Sequence, residues 1–596
     1  MKTLKSLILC LIVILGVSSN ALAAPLSQAT LDILYVKVTG TSTNSCYNWT
    51  DACDLQTALT NSVSGNEIRV ASGTYKPTAI LTDRTATFRL KSGVAVYGGF
   101  AGTETQLDQR DWEANPTILS GDLNGDDAEN FANNSDNSYH VVTASGVDAT
   151  TILDGFTITG GNTNSEGGGM YNKDSSPTLS NLIFTNNKGA VGGGMYNENG
   201  SPILTNITFY RNDADAGGGM FNRNGKPTLT NVTFSENTTN QLGGGMHNED
   251  SSPTLTNVTF SRNKAIDYGG GMCNVANYGT TNPKLTNVTF FQNEAGKKGG
   301  GIVHIAYTGL PNPIAESTII NAIFWGNTNG QIVDNVGDPT TVTNSIVQDG
   351  CPTGVTFTDI ITDDPKLDSI LADNGGFSMT HALQAGSPAI DAGNSDPTIC
   401  PATDQRGYTR PIGAGCDIGA YEFGYTLKVI KVGNGSVAAN PDQAHYSKDQ
   451  VVTLTATADT GWTFLGWSGD VTGTVNQQSV SLSGNQTITA TFNRAPLANA
   501  GADQSVKTME TVTLDGTGST DPDGDTPLTC QWAQTAGTSV ALDDPTAGTP
   551  TFTAPSDPGS LTFSLVVRDS LGLASLVDEV TIAVSYYLIY LPVILR

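Results

Sequence analysis

Between Gly167 and Phe290 nearly the same line is written five times: GGGMYNKDSSPTLSNLIFTNN, GGGMYNENGSPILTNITFYRN, GGGMFNRNGKPTLTNVTFSEN, GGGMHNEDSSPTLTNVTFSRN and GGGMCNVANYGTTNPKLTNVTFFQN. Successive methionines, Met170, Met195, Met220, Met246 and Met272, lie 25, 25, 26 and 26 residues apart. A fixed period in this range marks a solenoid, whose units bury their apolar faces only against their neighbours. Residues alternate apolar and polar within each unit, and no 3.6-residue periodicity runs through the stretch, so the units are strands and the class is all-β.

One repeat makes one turn of a parallel β-helix. In TLTNVTF the valine and phenylalanine alternate inward, and the leucine ends the preceding strand. The asparagine between them stands at a corner that needs the left-handed conformation it tolerates. Stacked turns then align Asn181, Asn206, Asn231, Asn257 and Asn287 in a ladder and Phe184, Phe209, Phe234, Phe260 and Phe290 in a core column. GGG supplies a corner free of Cβ atoms. The Asn-x-Thr triplets also read as glycosylation acceptors, but the ladder accounts for their period. The first turns begin near Glu67, with EIRVASGTYKP, and weaker copies persist near Ile319 and Val342. About eleven turns at roughly 4.8 Å each give a rod on the order of 50 Å.

The GGGMYN and LTNVTF lines resemble the polymorphic outer-membrane-protein type of right-handed β-helix, found in secreted and surface bacterial proteins. NGGFSMTHALQAGSPAIDAGN and DQRGYTRPIGAGCDIGAYEF resemble the choice-of-anchor module that closes such helices, with signature positions Asp391, Gly393, Asp404, Arg406, Gly407, Cys416, Asp417, Gly419 and Glu422. YTLKVIKV, VVTLTATA, GWTFLGWSGD and QTITATF resemble a divergent internalin B-repeat, with Trp462 and Trp467 in its core. NAGADQSVKTMETVTLDGTGSTDPDGD, Trp532 and FSLVVRDSLGLAS resemble a PKD-like immunoglobulin sandwich with Trp532 buried. These resemblances imply the following order: signal peptide 1–24, β-helix 32–348, anchor-like cap 349–424, B-repeat-like module 425–493, PKD-like sandwich 494–585 and apolar tail 586–596. The tail is a sorting signal or a last strand, and is too short to span a bilayer as a helix.

Lys2 and Lys5, the apolar run Leu7–Val17 and Ala21-Leu22-Ala23 form an export signal. The net charge is −27, or −29 without those two lysines, yet only 14% of residues are charged. Such a field repels nucleic acid and anionic membranes. Eight cysteines less Cys10 in the leader leave seven. Export permits disulfides, and Cys46 with Cys53 and Cys400 with Cys416 are the local pairs expected. The partners of Cys273, Cys351 and Cys530 stay open, and the absence of a CxxC pair argues against zinc.

Extracellular β-helices often cut polysaccharides, so the ionisable residues matter. After the ladder methionines stand Tyr171, Tyr196, Phe221, His247 and Cys273. With methionine inward these point outward, so Tyr171, Tyr196 and Phe221 make an exterior aromatic stripe that either stacks on sugars or stiffens the rod. His304 lies in the next turn. Asp213, Asp215, Glu236 and Glu249 read as solvated loop acids. Asp122, Asn124, Asp126 and Asp127 in one loop, and Asp521, Asp523 and Asp525 in another, suit a structural calcium ion or a plain turn. Asp404, Arg406, Arg410 and Asp417 read as ion-paired residues sealing the open end of the helix.

The residues and the resemblance together favour a non-enzymatic, secreted or cell-surface protein that binds glycans or other surface and matrix proteins, or bears load. The alternative is a polysaccharide-degrading lyase or glycoside hydrolase, with its site near Arg84, Arg89, Asp108, Arg110 and Asp111. The fold hosts both uses.

Overall fold

Each TLTNVTF line forms one eight-residue strand, for example Thr228–Ser235, with a break at its asparagine. Asn181, Asn206, Asn231, Asn257 and Asn287 all have φ between 51° and 57°. That left-handed step resets the alternation, so Leu229, Val232 and Phe234 all point inward and are fully buried. The leucine therefore belongs to the same strand as the phenylalanine. The computed structural model describes residues 33–307, 313–334, 340–350 and 352–587. The expected signal peptide, most of the apolar tail and Cys351 lie outside them.

The strands stack in parallel and in register, Phe209 on Phe234 and Phe234 on Phe260. Ring centroids from Phe184 to Phe324 are 4.4 to 4.9 Å apart along the column. The long sheet begins at Ile33–Val36, which pairs with Glu67–Ala71, and ends at Val355–Ile361. The helix thus starts one turn before Glu67 and continues beyond residue 348. A second parallel sheet carries the methionine column, in which Met170, Met195, Met220, Met246 and Met272 are fully buried. Short strands such as Asp213–Ala216 and Thr238–Leu242 form a third.

A short α-helix, Leu55–Asn61, lies against the first turns and was not expected. Asp54 caps it by accepting from the Thr57 amide at 2.9 Å. Leu55, Ala58 and Leu59, on one helical face, join the core.

Three amide ladders cross the turns. The expected one runs outside, with Asn206 donating to Asn181 at 3.0 Å and Asn231 to Asn206 at 3.2 Å. Two more are internal. Asn187, Asn212, Asn237, Asn263 and Asn293 each donate to the next amide in the series and to a core carbonyl, as Asn237 does to Asn263 and to the Phe209 carbonyl, both at 2.9 Å. Asn172, Asn197, Asn222 and Asn248 form the other. All of these internal asparagines are fully buried. A buried polar group without a partner costs about 1–3 kcal/mol, so each level needs the next one in register.

The corner glycines answer to the same packing. A Cβ on Gly218 would lie 2.6 Å from the Gly244 carbonyl, and one on Gly219 2.6 Å from the Gly245 carbonyl.

Leu427–Asn493 then forms two three-stranded sheets around Trp467, and Gln504–Ser585 forms a sandwich of four-stranded and two-stranded sheets around Trp532. Both indoles are buried, donating to the carbonyls of Val475 and Ala547.

Asn237→Ala should lower stability by about 2–4 kcal/mol, because it strands amides on two sides. Asn240→Ala, at an exposed asparagine three residues on, should change it by less than about 0.5 kcal/mol. Urea midpoints of the two variants check this.

Candidate functional site

The residue after each methionine does point away from the main core, as expected. There the rings stack in order His140, Tyr171, Tyr196, Phe221 and His247, at 5.2, 5.7, 5.5 and 4.7 Å. The stripe is nevertheless not an exterior face. Gly192, Gly217 and Gly243, with φ of 66°, 65° and 64°, turn the chain sharply ahead of each methionine. The preceding arcs therefore place Val191, Ala216 and Leu242 against the rings. Tyr196 and Phe221 are only 1% and 2% exposed, and Tyr171, next to His140, is half-buried. Arg223 donates to the Tyr196 hydroxyl at 3.2 Å and pairs with Glu249 at 3.1 Å. The column is a second, smaller core.

His247 closes this stack, fully enclosed, and burial drives its imidazole down to about 3. His304 takes the asparagine place in the internal ladder, in register with Asn274 and Asp334. Its Nε2 lies 2.6 Å from the Ser317 hydroxyl and 3.3 Å from the Asn274 amide. His304 and Ser317 are closed off from solvent, at 0% and 2% exposed.

The loop acids are not simply solvated. Lys188 pairs with Asp213, Arg211 with Glu236 and Arg223 with Glu249, each one turn apart, and Asp215 accepts from Asn240. Exposed pairs of this kind contribute roughly 0–1 kcal/mol each, so their main effect is on register.

The first acidic loop gathers differently from its spacing. Asp122 and Asp126 converge with Asp136, with ligand oxygens within 4.8 Å of one another. Asn124 contributes its main-chain amide, donated to Asp136 at 2.9 Å. Asp127 turns to Asn137, and burial raises its carboxyl. Nothing in the spacing pointed to Asp136. Among the described residues this is the carboxylate trio that converges so closely, and Asp521, Asp523 and Asp525 do not. Asp521 instead accepts the amides of Asp523, Gly524 and Asp525, as a turn residue does, and Asp523 accepts from Arg494.

The anchor-like segment lies along the flank of the helix rather than over its end. Its docking strip is the outward threonine column. Gln405 donates to Thr233 at 2.8 Å and accepts from Thr259 at 2.7 Å, while Ala420 donates to Thr289 at 3.1 Å. Asn257 and Asn287, rungs of the outer ladder, donate to the carbonyls of Thr403 and Asp417. At the last turns the column becomes Ile323 and Ile346, which pack with Leu383, Ala389 and Ile418.

Ion pairs do organise this segment. Arg406 binds Asp404 at 2.7 Å and Arg410 binds Glu422 at 2.9 Å, all four buried. Burial, with Glu422 beside it, pushes Asp417 up to about 8. Cys400 and Cys416 are joined, as are Cys46 and Cys53. Cys273 is free and buried, and Cys530 free and half-buried.

The charged residues of the enzymatic alternative are spread over separate contacts. Arg84 donates to the carbonyls of Asn137 and Asn162. Arg110 pairs with Asp154 at 2.9 Å. Asp111 accepts the amides of Glu113 and Ala114, Asp108 sits in an exposed turn, and Arg89 lines a cavity of about 450 Å³ with Gln56 and Lys91.

Two segments match known domain families. Residues 425–496 match the divergent InlB B-repeat domain, and residues 500–584 match a PKD domain family. Among solved structures, the chain is similar to a nucleoside hydrolase-related hypothetical protein from Saccharophagus degradans associated with carbohydrate metabolism (26% identity, 16% of this chain, 26% of that one, TM-score 0.14). It therefore spans about a quarter of that protein. It is also similar to the PKD domain of the KIAA 1837 protein (29% identity, 15% of this chain, 85% of that one, TM-score 0.14). Pectate lyase Pel9A matches over 65% of this chain and 96% of its own, at 15% identity and TM-score 0.42. No curated protein matches.

The buried groups set opposite pH slopes. His247, His304 and His381 sit at about 3, 4 and 4 when folded, below the ordinary histidine value of about 6.5. Their contribution is full above that value and is lost as pH falls through it. Asp417, raised in the fold, costs stability as pH climbs from the ordinary aspartate value towards about 8. His247→Phe isolates one group. Relative to the parent it should gain about 2 kcal/mol between pH 7 and pH 4.5, read from urea midpoints at the two pH values.

Proposed function

We propose that this chain is an exported, surface-associated or secreted modular protein whose β-helix is a stiff rod for adhesion. Its partners on this reading are glycans or surface and matrix proteins. The observation that carries this is the use made of the rod's polar groups. Asparagines, threonines and ion pairs recur at the same register on successive turns and bind either the next turn or the chain's own docked module. A scaffold so committed to its own repetition offers a long, uniform surface. Weak contacts repeated along such a surface, and on the two small β-modules carried with it, add up through avidity when the partner is also repetitive. The matches to a B-repeat domain and a PKD domain, together with the two disulfides, support a location outside the cytoplasm.

Asp122, Asp126 and Asp136 supply hard oxygen donors suited to calcium, which on this reading pins the loop spanning residues 122–136.

The purified chain without its leader, applied to an array of polysaccharides and matrix proteins, should be retained by at least one of them without releasing product. Reducing-sugar release or unsaturated-product absorbance from any polysaccharide would instead establish the degrading enzyme. In the same preparation, chelator should lower the thermal midpoint, and Asp136→Asn should remove that sensitivity. An unchanged midpoint would remove the calcium.

A further inference from the structure

Where the docked module meets the B-repeat-like module, residues 407–413 and 442–450 enclose a cleft of about 500 Å³. Its volume falls in the range of about 300–1,000 Å³ usual for small-molecule sites, which often form between domains. One wall carries Tyr408, Pro411 and Ile412, and the other Gln443, His445 and Gln450.

Both walls are held in place. Arg406 stacks on Tyr408 at 4.6 Å and on Tyr421 at 3.5 Å, and Asp404 fixes its guanidinium. The His445 and Tyr408 rings are in contact, with centroids 4.3 Å apart, so the two walls meet there. Tyr425 and Tyr446 exchange main-chain hydrogen bonds of 2.8 and 2.9 Å, tying the second wall to the connecting segment. At Gly424 a Cβ would come within 2.7 Å of His445, so the two modules join with no slack there. Gln450 donates to Gln443 at 2.8 Å and accepts from Ser447 at 2.9 Å, which orients both amides.

We propose that this cleft is a binding site for a neutral saccharide. The exposed edges of this ring pair, with Pro411 and Ile412, give the C–H groups of a sugar an apolar surface. Two oriented amides, the imidazole and Thr409 give its hydroxyls donors and acceptors. The ionisable carboxylate in the lining is Asp442, and the whole chain carries a net charge of −27. Both disfavour a uronate or sulfated chain. The inference rests on the glycan-binding reading above and gives it a location.

The test is calorimetric titration of the full chain without its leader with maltohexaose, cellohexaose, xylohexaose and mannohexaose, and with trigalacturonate as the anionic probe. Tyr408→Ala and Gln443→Ala are titrated in parallel. Gln443 is exposed, so its truncation leaves the fold intact. At least one neutral hexaose should bind, each substitution should weaken it about tenfold or more, and trigalacturonate should not bind. Binding by none of the four hexaoses, binding unchanged in both variants, or preferential binding of trigalacturonate would overturn the site. If the array still retains a chain that has failed in this way, the adhesion reading stands with its contacts elsewhere; if the array fails to retain it too, both fall.

Discussion

Buried asparagine amides that pair with the amides of neighbouring turns are the constraint from which the rest of this molecule follows. An apolar column tolerates some slippage, because one methyl surface resembles another. An amide does not, since its donor must meet an oxygen at hydrogen-bonding distance or lose about 1–3 kcal/mol. Asn187 to Asn293 on one side of the core and Asn172 to Asn248 on another hold the repeat turns to the same angular position. The phenylalanine rings then stack one on another, and the methionines lie buried in register on the second sheet. The glycine corners, where a Cβ would strike the next turn's carbonyl, are tolerable only because that angular position never drifts.

Register also makes the outer face into a ruler. Thr233, Thr259 and Thr289 stand on successive strands in one column. Gln405 reads two of them at once, donating to one hydroxyl and accepting from the next. The docked segment is therefore positioned by the spacing of the rod as well as by its shape. Its own interior is ionic: Asp404, Arg406, Arg410, Asp417 and Glu422 share one buried network. Buried networks of this kind are costly to break, and this one holds the back of the Tyr408 wall.

Much of this architecture was legible in the residues. A strict period with alternating polarity identified the wound strands, the left-handed asparagine corners and the phenylalanine column. The two internal ladders have the same period and went unread, because further left-handed corners, at Asp174 and Asn186 for instance, change which parity faces inward. The aromatic residues were placed on the correct side of the strand. Their burial depends on an arc folding back at Gly192 and Gly217, which local alternation does not encode. The anchor-like segment carried no sign of which surface it covers; that follows from hydroxyls and amides some 146 residues apart meeting in space. Asp136 joined Asp122 and Asp126 for the same reason, through a loop closure invisible to spacing.

The first strand, Ile33–Val36, does not leave its edge open. Its outer edge is occupied, because Tyr35 donates to the Cys46 carbonyl and accepts from Cys53, and Lys37 donates to Cys53 as well. The Cys46–Cys53 bond closes that small loop over the edge. Exposed strand edges are templates on which other chains polymerise. That edge is already hydrogen-bonded by the chain's own backbone, so among the described residues it offers a second rod no free ladder to extend.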